Sequence, residues 1–239
     1  MSVKSEFSSL IENDTDPLLR LENGSTEIYL VRHGDALPGA DEVVDGGYDD
    51  QSLSELGRRQ SLALTARMRQ VTVTAIYSSP IKRAWQTASF VGDALGLEVR
   101  VDEELREVDL QPIAPHHLVS LDAEGRAQAV RAYLHGIESL ALRVGIWSQI
   151  PGSEPSAMLR TRLTRVVDRI ASQHSGERVA IVTHAGAINA YIAAALGLER
   201  DFFFPASNAS ISVMRVKGQH HLLIRLNDVA HLLREGVDS

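Results

Sequence analysis

The sequence predicts an α/β fold: a three-layer sandwich with a mostly parallel central sheet, helices on both faces and a cap insertion over the carboxyl edge. Three segments carry this prediction. Each is a short apolar run, then a sharp polar turn, then a helical pattern. Ile28-Tyr29-Leu30-Val31 leads into Arg32-His33-Gly34, Ala75-Ile76-Tyr77 into Ser78-Ser79-Pro80, and Val179-Ala180-Ile181-Val182 into Thr183-His184-Ala185-Gly186. Runs this short, β-rich and apolar on both faces, fit strands buried on both sides of a parallel sheet.

The helices between them follow in order. Ser52 and Glu55 fit a capping box, with Leu53, Leu56, Ala63, Leu64 and Met68 as an imperfect apolar stripe. Ser79 is expected to cap the next helix, with Pro80 at its first position. Ala84, Thr87, Ala88, Val91 and Leu95 form its inner face, and Gly96 ends it. Pro155 to His174 reads as a third helix. Ala185 to Leu196 reads as a fourth, alanine-rich and able to pack closely on a sheet. Ile211 to Val216 and Leu222 to Leu226 read as strands of a hairpin turning at Lys217-Gly218.

The stretch from about 110 to 152 breaks this rhythm and is assigned as the cap. Residues 1–25 form an N-terminal extension expected to be flexible, and residues 26–239 form the domain. The extension is polar and acidic, without the basic and apolar regions of a signal peptide. No apolar run approaches the roughly 18 residues of a membrane span. The expected location is the cytoplasm.

Composition narrows the function. Lys plus Arg is 24 and Asp plus Glu is 31, so the net charge is 24 − 31 = −7. That balance disfavours nucleic acid and anionic membranes as partners. The absence of cysteine excludes disulfides, thiolate metal sites and cysteine nucleophiles.

In an open α/β sheet, ligands bind beyond the carboxyl ends of the strands. Arg32-His33 and His184 lie at two such ends, and Arg83 follows a third, in the first turn of its helix. Two histidines and two arginines from three strands therefore converge on one crevice. Each alone has an ordinary structural explanation. Arg83 sits where the helix dipole mildly disfavours a cation. Together they fit a phosphate: compact, dianionic and rich in acceptor oxygens.

The chain resembles the histidine phosphatase superfamily, in its phosphoglycerate-mutase-like branch. The matching segments are Val31-Arg32-His33-Gly34, Leu53-Ser54-Glu55-Leu56-Gly57-Arg58, Ser78-Ser79-Pro80-Ile81-Lys82-Arg83-Ala84, Leu105-Arg106-Glu107, Thr183-His184-Ala185-Gly186 and Leu226-Asn227-Asp228-Val229-Ala230-His231. The resemblance implies that His33 is the nucleophile that becomes phosphohistidine. It implies that Arg32, Arg83 and His184 hold the phosphoryl oxygens, and that Glu107 is the proton donor and then the base for water. No metal and no cofactor are expected, because the arginines supply the positive charge.

Departures from the family pattern bear on the reaction. Glu107 is followed by Val108-Asp109-Leu110-Gln111-Pro112 rather than a glycine and a Trp-Glu-Gly-like stretch. Asp35 to Asp41 replaces the asparagine-containing stretch of the mutases. From Asp35 to Gly57 there are seven acids and no Lys or Arg, and from Asp109 to Ala157 five acids against three arginines. A mutase must hold a bisphosphate, and this rim offers little positive charge for one.

The expected function is therefore metal-independent hydrolysis of a small, singly phosphorylated metabolite. The alternatives are cofactor-dependent mutase-type phosphoryl transfer and a catalytically silent phosphate-binding or regulatory protein. His116-His117 and His220-His221 are expected not to bind metal, because adjacent strand residues face opposite ways. Asn208, Asn227 and His231 are expected to shape loops, and Trp147 to be cap core. Phe202-Phe203-Phe204 fits core, cap docking or a homodimer contact.

Overall fold

The computed structural model describes residues 24–37, 50–110, 122–234 and 236–237. The expected flexibility of the N-terminal extension falls on residues 1–23, outside those described, as do His116-His117 and most of the acidic loop after His33.

The strands are β1 (Thr26–Arg32), β2 (Ala36–Leu37), β3 (Ser52–Leu53), β4 (Ala75–Ser78), β5 (Val99–Val101), β6 (Arg178–Thr183), β7 (Ile211–Lys217) and β8 (His220–Asp228). The helices are α1 (Glu55–Met68), α2 (Lys82–Leu95), α3 (Ala123–Val144), α4 (Ser156–Gln173), α5 (Ala185–Ala195) and α6 (Ala230–Arg234). Six strands form one sheet in the order β5-β4-β6-β1-β7-β8. The first four run parallel, and the β7–β8 hairpin adds antiparallel to β1. The short β5 was not foreseen: its burial is partial and its pattern, Val-Arg-Val, is too brief to read.

Each face of the sheet carries its own core. On one side Leu64 and Met68 of α1 and Ala84, Ala88 and Val91 of α2 cover Tyr29, Val31, Ile76, Ala180 and Val182. On the other, α4 and α5 cover Ile28, Leu30, Val179 and Ile181, with Leu163, Val166, Ile170 and Tyr191 among the buried side chains. Alternate residues of one strand thus face opposite cores, which is why these strands read as continuous apolar runs.

Two helix starts differ from expectation. The cap of α1 is Ser54, whose Oγ accepts the amide N–H of Gly57 at 3.0 Å. The Ser52–Glu55 box does not form, because Ser52 lies in β3, paired with Leu37. The second helix starts at Lys82, with no side-chain cap at Ile81. Ser79 Oγ accepts from the Ile81 N–H at 3.3 Å but is engaged by His184. The foreseen C-cap Gly96 is confirmed, with φ +66.

The cap comprises α3 and a 3-10 turn, Trp147–Gln149. Trp147 is buried and meets Phe202 edge to face at 5.7 Å. Phe202 and Phe204 are core, so the aromatic run docks the cap to the sheet domain. Asp201, also buried, fixes this junction: its Oδ2 accepts the Trp147 N–H at 2.8 Å and its Oδ1 pairs with Arg160 at 2.5 Å.

Candidate active site

Sheet register brings the site together. Arg32 of β1 lies opposite Thr183 of β6, and Ser78 of β4 opposite Val182. The residues that follow each strand therefore emerge side by side at the carboxyl edge. The His33 N–H donates to the Thr183 carbonyl at 3.0 Å, and the Ser79 N–H to the Val182 carbonyl at 3.0 Å. The His33 and His184 rings meet edge to face at 5.0 Å.

His33 is held on both ring nitrogens. Nδ1 contacts the Gly34 carbonyl at 2.7 Å, and Arg83 Nε donates to Nε2 at 3.0 Å. One tautomer satisfies both contacts: a proton on Nδ1 and a lone pair on Nε2. Burial, then Arg83 and then Arg32, hold its pKa well below the ordinary 6.5. Desolvation is the largest of these causes.

His184 caps α5 and is fully buried. Its Nε2 contacts Ser79 Oγ at 2.8 Å, while Nδ1 has no partner. Burial, then Arg83, then His33, keep this ring neutral as well.

Arg32 donates from Nη1 to the Ala206 carbonyl, and the same nitrogen lies 3.4 Å from Glu138 Oε1 of the cap helix α3. Arg32 Nε is buried without a partner. Buried donors are nearly always satisfied in a finished fold. Arg32 Nε, on the residue next to His33, and His184 Nδ1, on the ring that meets His33 edge to face, are therefore two unmet positions of the site.

Glu107 reaches the same pocket from the loop after β5. Its Oε1 accepts from the Val108 and Ala187 amides at 2.9 Å each, and its Oε2 from the Gly186 amide at 3.1 Å. Two of these donors are the free N–H groups of the first turn of α5. Together these three amides form a cradle around the Glu107 carboxyl group. Gly186 is required here by close approach: a Cβ would fall 2.6 Å from Glu107 Oε1 and 3.0 Å from Trp147 Cζ2. The acidic neighbours Asp102 and Glu104 are used otherwise, in pairs with Arg169 and Arg165.

All five residues singled out from the sequence thus converge at one place. Arg32, His33, Arg83 and Glu107 line a cavity of about 200 Å³, and His184 stands against its His33 wall. The cavity also exposes residues that the sequence did not reveal. Gln51 and Trp147 line it, each with a buried N–H donor lacking a partner, and Glu138 lines it from the cap. Long-range packing puts these three there, and no local motif marks them.

The loop-shaping residues behave as foreseen. Asn208 Nδ2 donates to the His33 carbonyl at 3.2 Å. Asn227, at φ +52, accepts the Ser207 N–H at 2.8 Å and donates to the Pro205 carbonyl at 3.2 Å. His231 contacts the Ala209 carbonyl at 3.0 Å. His221 bridges Tyr191 and Asp168 on the far side of the fold, at 3.0 and 3.2 Å. Among the described residues, no group of three His, Asp or Glu side chains is arranged to hold a metal. No helix among them is long and apolar enough to cross a membrane.

Comparison with known proteins agrees with this geometry. The Arabidopsis thaliana phosphoglycerate mutase-like protein 4 is 31% identical over 215 residues, 88% of each chain. A probable phosphoglycerate mutase of Erwinia tasmaniensis is 27% identical, covering 89% of this chain and 98% of its own. Among solved structures, Bacillus stearothermophilus YhfR superposes with a TM-score of 0.66 at 26% identity, covering 87% of this chain and 99% of its own. A mycobacterial glucosyl-3-phosphoglycerate phosphatase gives 0.63 at 26% identity, covering 84% and 98%. The family model for branch 1 of the histidine phosphatase superfamily matches residues 28–229, and with the two-histidine, two-arginine site at the sheet's carboxyl edge this chain belongs to that superfamily.

Proposed function

We propose that this protein is a metal-independent phosphomonoesterase that works through a phosphohistidine on His33, acting on a small, singly phosphorylated metabolite. The observation that carries the reading is the pair of contacts on the His33 ring. Nδ1 is committed to the Gly34 carbonyl, so the lone pair is on Nε2, where Arg83 Nε meets it, and Arg32 Nε and His184 Nδ1 are buried without a partner.

The reaction runs in two displacements. The Nε2 lone pair attacks phosphorus, the bond from phosphorus to the ester oxygen breaks, and the leaving alkoxide takes a proton from Glu107. Water then attacks the phosphohistidine and gives a proton to Glu107. Inorganic phosphate leaves and neutral His33 is restored. Arg32, Arg83 and His184 stabilise charge on the equatorial oxygens.

Hydrolysis is favoured over mutase transfer by the charge of the walls. Beyond Arg32 and Arg83, the charged residues lining the cavity are Asp35, Glu107 and Glu138. Among the described residues that line it, a bisphosphate would find no further Lys or Arg. Mutase names among the relatives make the opposite outcome worth testing. The experiment is phosphate release from a panel of phosphomonoesters at pH 5 to 8 with EDTA, beside a His33→Ala variant. Release that survives EDTA and vanishes in the variant supports the proposal. No release above the variant, with interconversion of phosphoglycerates in the presence of a bisphosphate, would replace it with the mutase reading.

A further inference from the structure

The cap helix α3 spans 22 residues, and among its described side chains Glu138 is the charged one that lines the pocket. Glu138 is a carboxylate in a cavity that must bind a dianion. It lies 3.4 Å from Arg32, with its side chain 28% exposed and that of Arg32 17%. Its helical neighbour Ile137 lines the same cavity, with Val108, Leu110, Trp147 and Phe202 completing an apolar wall. Asp35 lies in the lining as well.

On the proposed mechanism the phosphoryl group belongs at His33 Nε2, and the unpartnered Arg32 Nε is left to meet it. Glu138 meets Arg32 through Nη1, a different nitrogen. The Arg32 side chain is therefore divided: one nitrogen remains for phosphate while another is bound to the cap. The cavity that would take the rest of the substrate is lined by both Glu138 and this apolar wall. A negative group there would meet a partly desolvated carboxylate with its cation already shared, and like charges so placed are strongly disfavoured. A neutral alcohol loses nothing, and an ammonium group gains.

We propose that Glu138 is the specificity-determining residue of this pocket, selecting phosphate esters of neutral or cationic alcohols and rejecting esters whose alcohol part carries a carboxylate or second phosphate. This rests on the phosphomonoesterase reading and names its substrate class. The device is exclusion by charge.

The test uses three aryl phosphates of similar size: phenyl, carboxyphenyl and aminomethylphenyl phosphate. For the wild type, kcat/KM for the carboxyphenyl ester should be at least about tenfold below that for the phenyl ester, and the aminomethyl ester should equal or exceed phenyl. In Glu138→Gln the phenyl-to-carboxyphenyl ratio should fall to within about threefold of one, and in Glu138→Lys the preference should invert. The same ratio in wild type and both variants would overturn the proposal. If the wild type hydrolyses none of the esters, the phosphatase reading fails on its own. The charge selection is then read from dissociation constants of the three matching aryl phosphonates, which need no turnover. Equal selectivity of wild type and Glu138→Gln in that measurement would overturn the proposal as well.

Discussion

Arg83 Nε donates to His33 Nε2 across 3.0 Å. The cation that is proposed to bind the phosphoryl group thus also marks the nitrogen that would attack it. The interaction requires an unprotonated Nε2, and it must yield when phosphate arrives. Arg83 then turns from a partner of the nucleophile into a partner of its target.

Replacing Arg83 by Met should remove both roles. We expect kcat/KM for an aryl phosphate to fall about 10²–10³-fold, the usual loss when one preorganised charged donor is removed. Vanadate affinity should fall with it. Steady-state kinetics and vanadate inhibition read the two effects. Loss of activity with unchanged vanadate affinity would show that Arg83 does not reach the oxygens.

Stability should depend on pH through buried histidines. His33, His184 and His231 all have pKa values below the ordinary 6.5, with burial the leading cause in each. Below pH 6.5 the unfolded chain takes up protons at these positions and the folded chain does not. Stability is therefore full above pH 6.5 and is lost progressively as pH falls from there toward the depressed folded values. Each histidine steepens the slope by up to about 1.4 kcal/mol per pH unit. Denaturant melts between pH 7 and 5 measure it, and a His184→Asn variant should show a shallower slope.

Arg162 is a positioning residue for Glu107. Its guanidinium donates to the carbonyls of Glu104 at 2.7 Å, Arg106 at 3.0 Å and Glu107 at 3.4 Å, and is anchored by Glu154 at 2.7 Å. Lysine cannot span these partners. In Arg162→Lys, we expect kcat/KM to fall about tenfold or more for an alkyl phosphate, whose leaving group needs a proton. For para-nitrophenyl phosphate, which needs none, the loss should be much smaller. Equal losses would mean a general structural defect.

Gly186→Ala should displace the same carboxylate. The added methyl would lie 2.6 Å from Glu107 Oε1 and 2.7 Å from Val108 Cγ2. Overpacking of this kind costs about 1–3 kcal/mol. Thermal melting should show the loss, together with the same selective defect on alkyl esters.

Much of this was legible in the chain. The apolar runs ending in Arg-His and Thr-His read correctly as strands because burial on both faces leaves an unbroken local signature. Convergence of His33, Arg83 and His184 then followed from a topological rule, since parallel strands bring their carboxyl ends together. The two misplaced helix starts are set by the backbone path: Ser52 lies in β3, paired with Leu37, and the second helix starts at Lys82, beyond the reach of a cap at Ser79.

What the sequence by itself determined is the layered α/β class, the principal strands and helices in order, and five residues that the fold brings to one place. Those features rest on periodicities and motifs a few residues long. The tertiary structure alone decided that Glu107 lies in the α5 amide cradle, that Gln51 and Trp147 line the same cavity, and that Glu138 meets Arg32 from 106 residues away. Such contacts arise from sheet register and from how the cap packs. A side chain's partner across the fold is set by the backbone path between them, and no local pattern encodes that path.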